Sequence, residues 1–424
     1  MDDINITSSD KIRTIIYNKK KSMKNGILKK EHLMFVTILA LALGIRQLAM
    51  SLIVSFVAPY TQSLLYGTLA MGGIALGIFS LTQGIFQVPF GVLCDKVGSK
   101  FVVLLGLGIL IIGLILSCVS NNAYVYIISR ALQGSGAITS ASYAWISKTV
   151  DFEERADSIS FVGAAIGLAS AISLGGGPIF ISFVSVRMLY VISTILVIIV
   201  FFLVLIFLKE DKDKKIVRTK KDVKGESALS YLKKLFSQKE FISYMIIAFV
   251  GNYIGLASFF IIPEYLRVTL GQNYMWEVLT PSVLISIIIM RLSTKYIKKG
   301  LIKNIVLVSA IFMVIGVILM FSRNENSFII FFEGVFMFAA YTIFSALTPT
   351  LINSIAKNEF RGLLNGIMNG FSYIGSFLGA TITGILWGSN LYIALSLVLV
   401  FSIVVVLIAI FIINNNINLK SNSR

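Results

Sequence analysis

Long apolar stretches separated by short polar segments run the length of this 424-residue chain. They fall at 33–57, 69–91, 101–120, 123–146, 159–183, 188–208, 241–263, 275–296, 304–321, 327–348, 363–387 and 390–413. Each is close to the roughly 20 residues that an α-helix needs to cross about 30 Å of hydrocarbon. The pattern therefore predicts an all-α integral membrane protein with twelve transmembrane helices. The stretch at 275–296 is the least regular, because Pro281 interrupts it and Arg291 enters its end.

The longest hydrophilic segment, 209–240, divides the spans six and six. The chain then reads as a basic tail (1–32), a six-helix half (33–208), a linker (209–240), a second six-helix half (241–413) and a short tail (414–424). The first 32 residues carry no cleavage signature, so the first span is expected to be retained. In the linker, Leu229, Leu232, Leu235 and Phe236 recur at helical spacing among Lys233, Lys234 and Lys239. An amphipathic helix lying along the membrane surface is expected there, either as a plain connector or as a regulatory element.

Composition agrees: 57% of residues are hydrophobic, 13% are charged, and the net charge is +17. A basic balance of this size can mark nucleic-acid binding, but no recognition module accompanies it. Its placement has a simpler meaning. Of the 37 Lys and Arg, only Arg187, Arg267 and Arg323 fall on the loops of one face, and Arg46 and Arg130 fall inside spans. All the others lie on the face shared by the two tails, which the positive-inside rule places in the cytoplasm. Contact with anionic lipid headgroups is a secondary expectation. Trp276 and Trp387 fall at the opposite ends of their spans, where interfacial aromatics belong.

Cys94 and Cys118 lie on different segments, and the single histidine, His32, abuts the first span. Neither a disulfide framework nor a metal site is expected from them. No Gly-x4-Gly-Lys-Ser/Thr phosphate loop occurs, so ATP bound by this chain is not the expected energy source. An ion gradient remains, or no coupling at all. No nucleophile–base pair suggests an enzyme, and no cofactor is implied.

The polar junction Gly91-Val92-Leu93-Cys94-Asp95-Lys96-Val97-Gly98-Ser99-Lys100 reads as a short loop on the basic face. Its pattern Gly-x-Leu-x-Asp-Lys-x-Gly-x-Lys resembles the loop between helices 2 and 3 of the major facilitator superfamily. That resemblance implies a secondary transporter working as a monomer, with a small-molecule site between two six-helix halves near the midplane. Arg291–Lys303 (RLSTKYIKKGLIK) holds the equivalent place in the second half, with Thr294 where Asp95 would be. In the first copy, Asp95 is expected to accept from free N–H groups at the start of the eleventh span, Arg361-Gly362-Leu363. Lys96 and Lys100 would pair with Asp151, Glu153, Glu154 and Asp157, while Gly91 and Gly98 allow close approach and a tight turn. Such a cluster would latch the inner gate; the alternative is a charged loop that only sets topology.

In the fourth span, Arg130-Ala131-Leu132-Gln133-Gly134-Ser135-Gly136-Ala137 resembles the Arg-x-x-Gln-Gly-x-Gly-Ala motif of proton-coupled members. The likeness implies that Arg130 influences proton release by a nearby carboxylate, the alternative being an arginine that only anchors its helix. On the fifth span, Gly167, Gly177 and Pro178 partly match the glycine-rich antiporter motif, with Ile181-Ser182 in place of the usual following glycine pair. Small residues there suit close helix packing.

Arg46 stands near the middle of the first span, where an arginine costs roughly 3 kcal/mol on insertion scales and must face protein or water. The run from Leu43 to Tyr60, and Gln83-Gly84-Ile85-Phe86-Gln87-Val88-Pro89-Phe90-Gly91, is similar to a bacterial drug-efflux subgroup. Gln47, Gln83, Gln87, Asn252, Tyr253 and Tyr341 are further candidates for a substrate cavity or for helix–helix hydrogen bonds. Glu333 is the one carboxylate well inside a predicted span, which makes it the candidate proton carrier; a structural pair with an arginine is the other reading. The expectation is export of small lipophilic compounds or drugs in exchange for protons, across the cell membrane. Two rivals remain: transport of an organic anion held by Arg46, and uncoupled translocation of a lipid or solute.

Overall fold

Hydrocarbon offers no partner to backbone N–H and C=O groups, so an apolar run can cross it only as a helix that satisfies itself. The computed structural model describes residues 30–210, 228–322, 326–357 and 360–414, apart from the side chains of Lys30, Glu31, Asp95, Ala228, Leu229, Lys298 and Asn414. Among them, helices account for nearly all the regular structure. The first half comprises α1 (Lys30–Ser51), α2 (Val57–Ser63), α3 (Leu69–Val97), α4 (Ser99–Val119), α5 (Ala123–Ser135), α6 (Thr139–Thr149), α7 (Arg155–Phe183) and α8 (Val186–Phe207). A short α9 (Ala228–Phe236) follows. The second half comprises α10 (Lys239–Thr269), α11 (Trp276–Lys298), α12 (Ile302–Phe321), α13 (Ser327–Ile355), α14 (Arg361–Ser389) and α15 (Leu391–Asn414).

Eleven segments among the described residues are long and apolar enough to span a membrane. The exception is the fourth expected span, which is cut into α5 and α6. At the cut, Ala137 N–H donates to Ser135 O (2.9 Å) and Ile138 N–H to Gly136 O (3.0 Å), so the chain makes tight turns in place of the helical ladder. A second departure concerns the junction at 91–100. Helix α3 continues to Val97 and α4 begins at Ser99, leaving Gly98 as a one-residue break. Its φ of +97° is a conformation that glycine alone adopts without strain. Hydropathy marks where polar side chains begin, whereas the helix ends where its hydrogen bonds end.

The linker helix α9 buries Tyr231 and Leu235. Tyr231 stacks on Phe360 (4.4 Å between centroids), and its hydroxyl accepts from Lys357 N–H at 3.1 Å. Tyr231 and Leu235 are thus turned onto the second half, while Phe236 stays exposed; the expected contribution of Leu229 lies outside the described side chains.

Lys96, Lys100, Lys148, Lys239 and Lys295 mark one end of the bundle, here called the basic end. The two halves meet at the far end through three seams. Helix α3 crosses α14 so closely that a Cβ on Gly73 would stand 2.9 Å from Gly384 Cα. On the second seam, Thr280 Oγ1 of α11 donates to Gly175 O of α7 at 2.8 Å. On the third, Gln62 Nε2 of α2 donates to Glu264 Oε2 of α10 at 3.0 Å. Toward the basic end the halves part.

Candidate functional site

The parted halves enclose a cavity of about 450 Å³ lined from both sides. The first half contributes Gln47, Met50 and Ser51 (α1), Leu76, Phe79, Ser80 and Gln83 (α3), Arg130 (α5), and Ser170 and Leu174 (α7). The second half contributes Asn252, Leu256 and Phe259 (α10), Met290 (α11), Tyr341, Thr342 and Ser345 (α13), and Tyr373 and Ser376 (α14). This is the usual make-up of a small-molecule site: an apolar wall with a few convergent polar groups. The opening runs toward the basic end. Gly167 precedes Leu174 by seven residues and Gly366 precedes Tyr373 by seven, so each continues a lining face by two turns. Neither glycine has a heavy atom within 4 Å of where a Cβ would stand.

Arg130 is the one charged side chain among the lining residues. It is held firmly from behind. Its Nη1 donates to Gln133 Oε1 (2.7 Å), its Nε to Ala75 O (3.3 Å), and its guanidinium lies 4.9 Å from the Phe79 ring centre. Gln133 Nε2 donates in turn to Ser117 Oγ (2.7 Å), which is paired with Ser129 Oγ (2.7 Å). A charge-assisted bond backed by a polar network fixes the guanidinium plane without any carboxylate.

Arg46 does not line the cavity. It is buried, and its Nε donates at 2.9 Å to Gly136 O, the carbonyl that the α5–α6 break turns out of the helical ladder and that also accepts from Ile138 N–H. The two anomalies are thus linked, since the interrupted ladder turns a carbonyl with a second lone pair toward a central arginine that needs an acceptor. Its Nη2 is buried without a hydrogen-bond partner.

Among the other candidates, Gln47, Gln83, Asn252 and Tyr341 line the cavity. Gln47 Nε2 donates to Ser51 Oγ (2.8 Å) and Asn252 Nδ2 to Ala248 O (2.8 Å), so both are oriented within their own helices. Gln87 and Tyr253 lie elsewhere. Gln87 accepts from Ser140 Oγ through its backbone (3.0 Å), with its Oε1 buried and unpartnered. Tyr253 packs edge-on against Phe401 of α15, 4.7 Å between centroids, on the side of α10 turned into its own half. Glu333 is buried on α13, outside the cavity, with Oε2 unpartnered. Nearby, Ser282 Oγ and Ser286 Oγ donate to Phe331 O (3.1 Å) and Val335 O (3.2 Å), clamping α13 to α11.

At the basic end the α3–α4 junction has a partner that the sequence reasoning missed. Glu210, just past α8, accepts from Ser99 N–H and, at 3.1 Å, from Lys100 N–H. It therefore caps α4, while Lys100 Nζ donates to Leu205 O (2.8 Å) rather than lying among the acidic residues 151–157. Glu154 of that acidic group meets His32 Nδ1 at 3.1 Å. Lys96 and Gly91 lie on the last turns of α3, and Gly91 faces Ser140. The expected contact of the Asp95 side chain with the start of α14 falls outside the described residues. Of the glycines on α7, Gly177 abuts Leu52 O of the chain after α1, and Pro178 continues the helix beside it. Gly167 makes no such approach, because it faces the opening.

The Gln62–Glu264 bridge and Tyr373 were also missed. Glu264 is further bound by Arg267 through two guanidinium nitrogens, Nε at 3.0 Å. The signal was present in the Glu264-x-x-Arg267 spacing, which places an acid and a base on one helical face. Among the described residues no group of three His, Cys, Asp or Glu could hold a metal ion.

Residues 39–380 match the family model described as Major Facilitator Superfamily. An uncharacterized transporter of Buchnera aphidicola (BU466) is 27% identical over 340 residues, covering 79% of this chain and 85% of that protein. The inner membrane transport protein YajR of Escherichia coli is 24% identical over 358 residues, covering 83% and 78%. Among solved structures, a bacterial homolog of the human lysosomal transporter Spinster, inward-facing and unoccupied, superposes with a TM-score of 0.75. It shares 13% identity, and the match covers 93% of this chain and 100% of that one.

Proposed function

The chain belongs to the Major Facilitator Superfamily, and from that premise we propose that it is a secondary active transporter exporting small amphipathic compounds, drugs among them, in exchange for protons. The observation that carries this reading is the central cavity, sealed at the far end by three seams and continued toward the basic end by open helix faces. A site reached from one side, between two halves that touch mainly at the other, is what alternating access requires. The basic end is the cytoplasmic one, so both termini are cytoplasmic and the cavity loads from inside. Helices α5 and α6 together make the fourth of twelve crossings of the bacterial inner membrane, and a single chain suffices.

Rocking the halves breaks the far-end seams and closes the basic end. The α3–α4 junction, with Gly91, Asp95, Lys96, Gly98 and Lys100, then forms the inner gate. Glu333 is the proton carrier. A carboxylate buried without a cation or donor is costly when charged and cheap when protonated. A site that a proton can enter in one state and leave in the other couples the two fluxes.

The test is proton movement in proteoliposomes carrying a trapped pH dye, challenged with lipophilic cations and organic anions. Wild type should show substrate-induced flux that Glu333→Gln loses. Flux that survives in the variant moves coupling to another group, and no flux with any compound counts against proton exchange.

A further inference from the structure

Resting on the reading of this cavity as the transport site, we infer that its substrate is an organic monoanion: an apolar body bearing one carboxylate or sulfonate, which the Arg130 guanidinium receives.

The argument is one of charge balance in a place where charge is expensive. The lining carries one cation and no anion. Arg46, next to the lining residue Gln47 on α1, adds a second positive charge whose hydrogen-bond partner is a neutral carbonyl. The carboxylates of the spans give no compensation, Glu277 being exposed in the first turn of α11 at the far end. Glu264 is bound by Arg267 at the far end. Glu333 is eight residues from Tyr341 on α13, about 12 Å along the axis at the usual helical rise. In a cavity of low polarizability an anion gains from both arginines, and a cation is repelled by both.

Aromatic side chains can substitute for carboxylates in holding a cation. That route is weakened here, because the guanidinium of Arg130 already occupies the Phe79 ring. Arg130 is also built as a receiver. Nη1 and Nε are engaged by Gln133 and Ala75, which fixes the plane of the group, while the side chain still borders the cavity. The opposite wall, with Leu256, Phe259 and Met290, suits an apolar body, and the volume of about 450 Å³ limits its size to that of a small ring compound.

The experiment is binding calorimetry on the full chain in zwitterionic nanodiscs at pH 7, with empty nanodiscs subtracted. Three probes share one body: 1-naphthaleneacetate, its primary amide, and 2-(1-naphthyl)ethylamine. The acid should bind at least about tenfold tighter than the amide and about a hundredfold tighter than the amine. Arg130→Lys should keep a reduced acid preference, and Arg130→Gln should bring acid and amide within about threefold. An amine that binds as tightly as the acid overturns the inference. So does an undiminished acid–amide gap in folded Arg130→Gln, or no binding of any probe by wild type at millimolar concentration. If the arginine variants fail to fold, the wild-type ranking alone decides. Because binding is read without proton movement, the two fail separately: a clear acid preference combined with no proton flux counts against proton exchange and leaves the anion preference of the cavity standing.

Discussion

Replacing Gly73 by alanine should push the protein toward the state open at the far end. The Cβ would meet the Ala380 carbonyl and stand 2.9 Å from Gly384 Cα and 3.2 Å from Gly384 N. These are backbone atoms, so no side chain can rotate away. Ordinary carbon contacts sit near 3.5–4.0 Å, so α3 and α14 must separate by roughly 0.6–1 Å. Overpacking of this kind costs about 1–3 kcal/mol. In a single-state protein that cost would appear as lost stability. In a two-state transporter it falls only on the state in which the helices touch, and shifts the balance about 5- to 150-fold. Spin labels at Ser63→Cys and Asn273→Cys, with Cys94 and Cys118 replaced by serine, straddle the neighbouring seam. The distance distribution should gain a longer component in Gly73→Ala, with little change in melting temperature. Gly384→Ala should act alike, and the double variant should add less than the sum, because the first methyl has already moved the helices. A melting temperature lowered by the full cost, with distances unchanged, would refute the reasoning.

Three further outcomes follow from hydrogen bonds described above. Glu210→Ala removes the acceptor for two free N–H groups of α4 and should cost about 1–2 kcal/mol, read as lower thermal stability in detergent and faster amide exchange at Ser99 and Lys100. Gln62→Leu cuts the link between the halves while leaving Glu264 paired with Arg267; about 1–2 kcal/mol lost from the closed far end should lengthen the same spin-label distance. Arg46→Met loses one charge-assisted hydrogen bond worth about 1.5–3 kcal/mol, leaving the Gly136 carbonyl with Ile138 N–H alone, but also removes a midplane arginine that costs roughly 3 kcal/mol. Its net effect on thermal stability should therefore be small, and a large loss would show that Arg46 has partners besides Gly136.

The sequence disclosed the spans because lipid enforces them: hydropathy alone located eleven, although several, such as 241–263 and 327–348, run on by about two turns in the structure. It hid whatever depends on the backbone between spans. Gly134 and Gly136 read as part of a family motif, and nothing in their spacing announces a break. The use that Arg46 makes of that break joins positions 90 residues apart, beyond any local pattern. Glu210 was lost among the charges of a linker that looked merely solvated. Four of the six uncharged cavity candidates were recognisable because a polar residue in an apolar run needs a reason. Gln87 and Tyr253 met the same criterion and found theirs elsewhere, because helical phase is fixed only once neighbouring helices are placed.

The partnership between Arg46 and the broken helix also sets a problem of timing. Chains emerge from the ribosome at about 5–20 residues per second, and Gly136 follows Arg46 by 90 residues. For roughly 5 to 20 s, the helix bearing Arg46 exists without the carbonyl that its guanidinium will bind. During that interval the guanidinium carries its cost of roughly 3 kcal/mol at the bilayer centre, which snorkelling toward water lowers. Its final seat opens only when α5 arrives and stops short. The break that interrupts one helix is thus what gives the arginine of another, made earlier, its place inside the bundle.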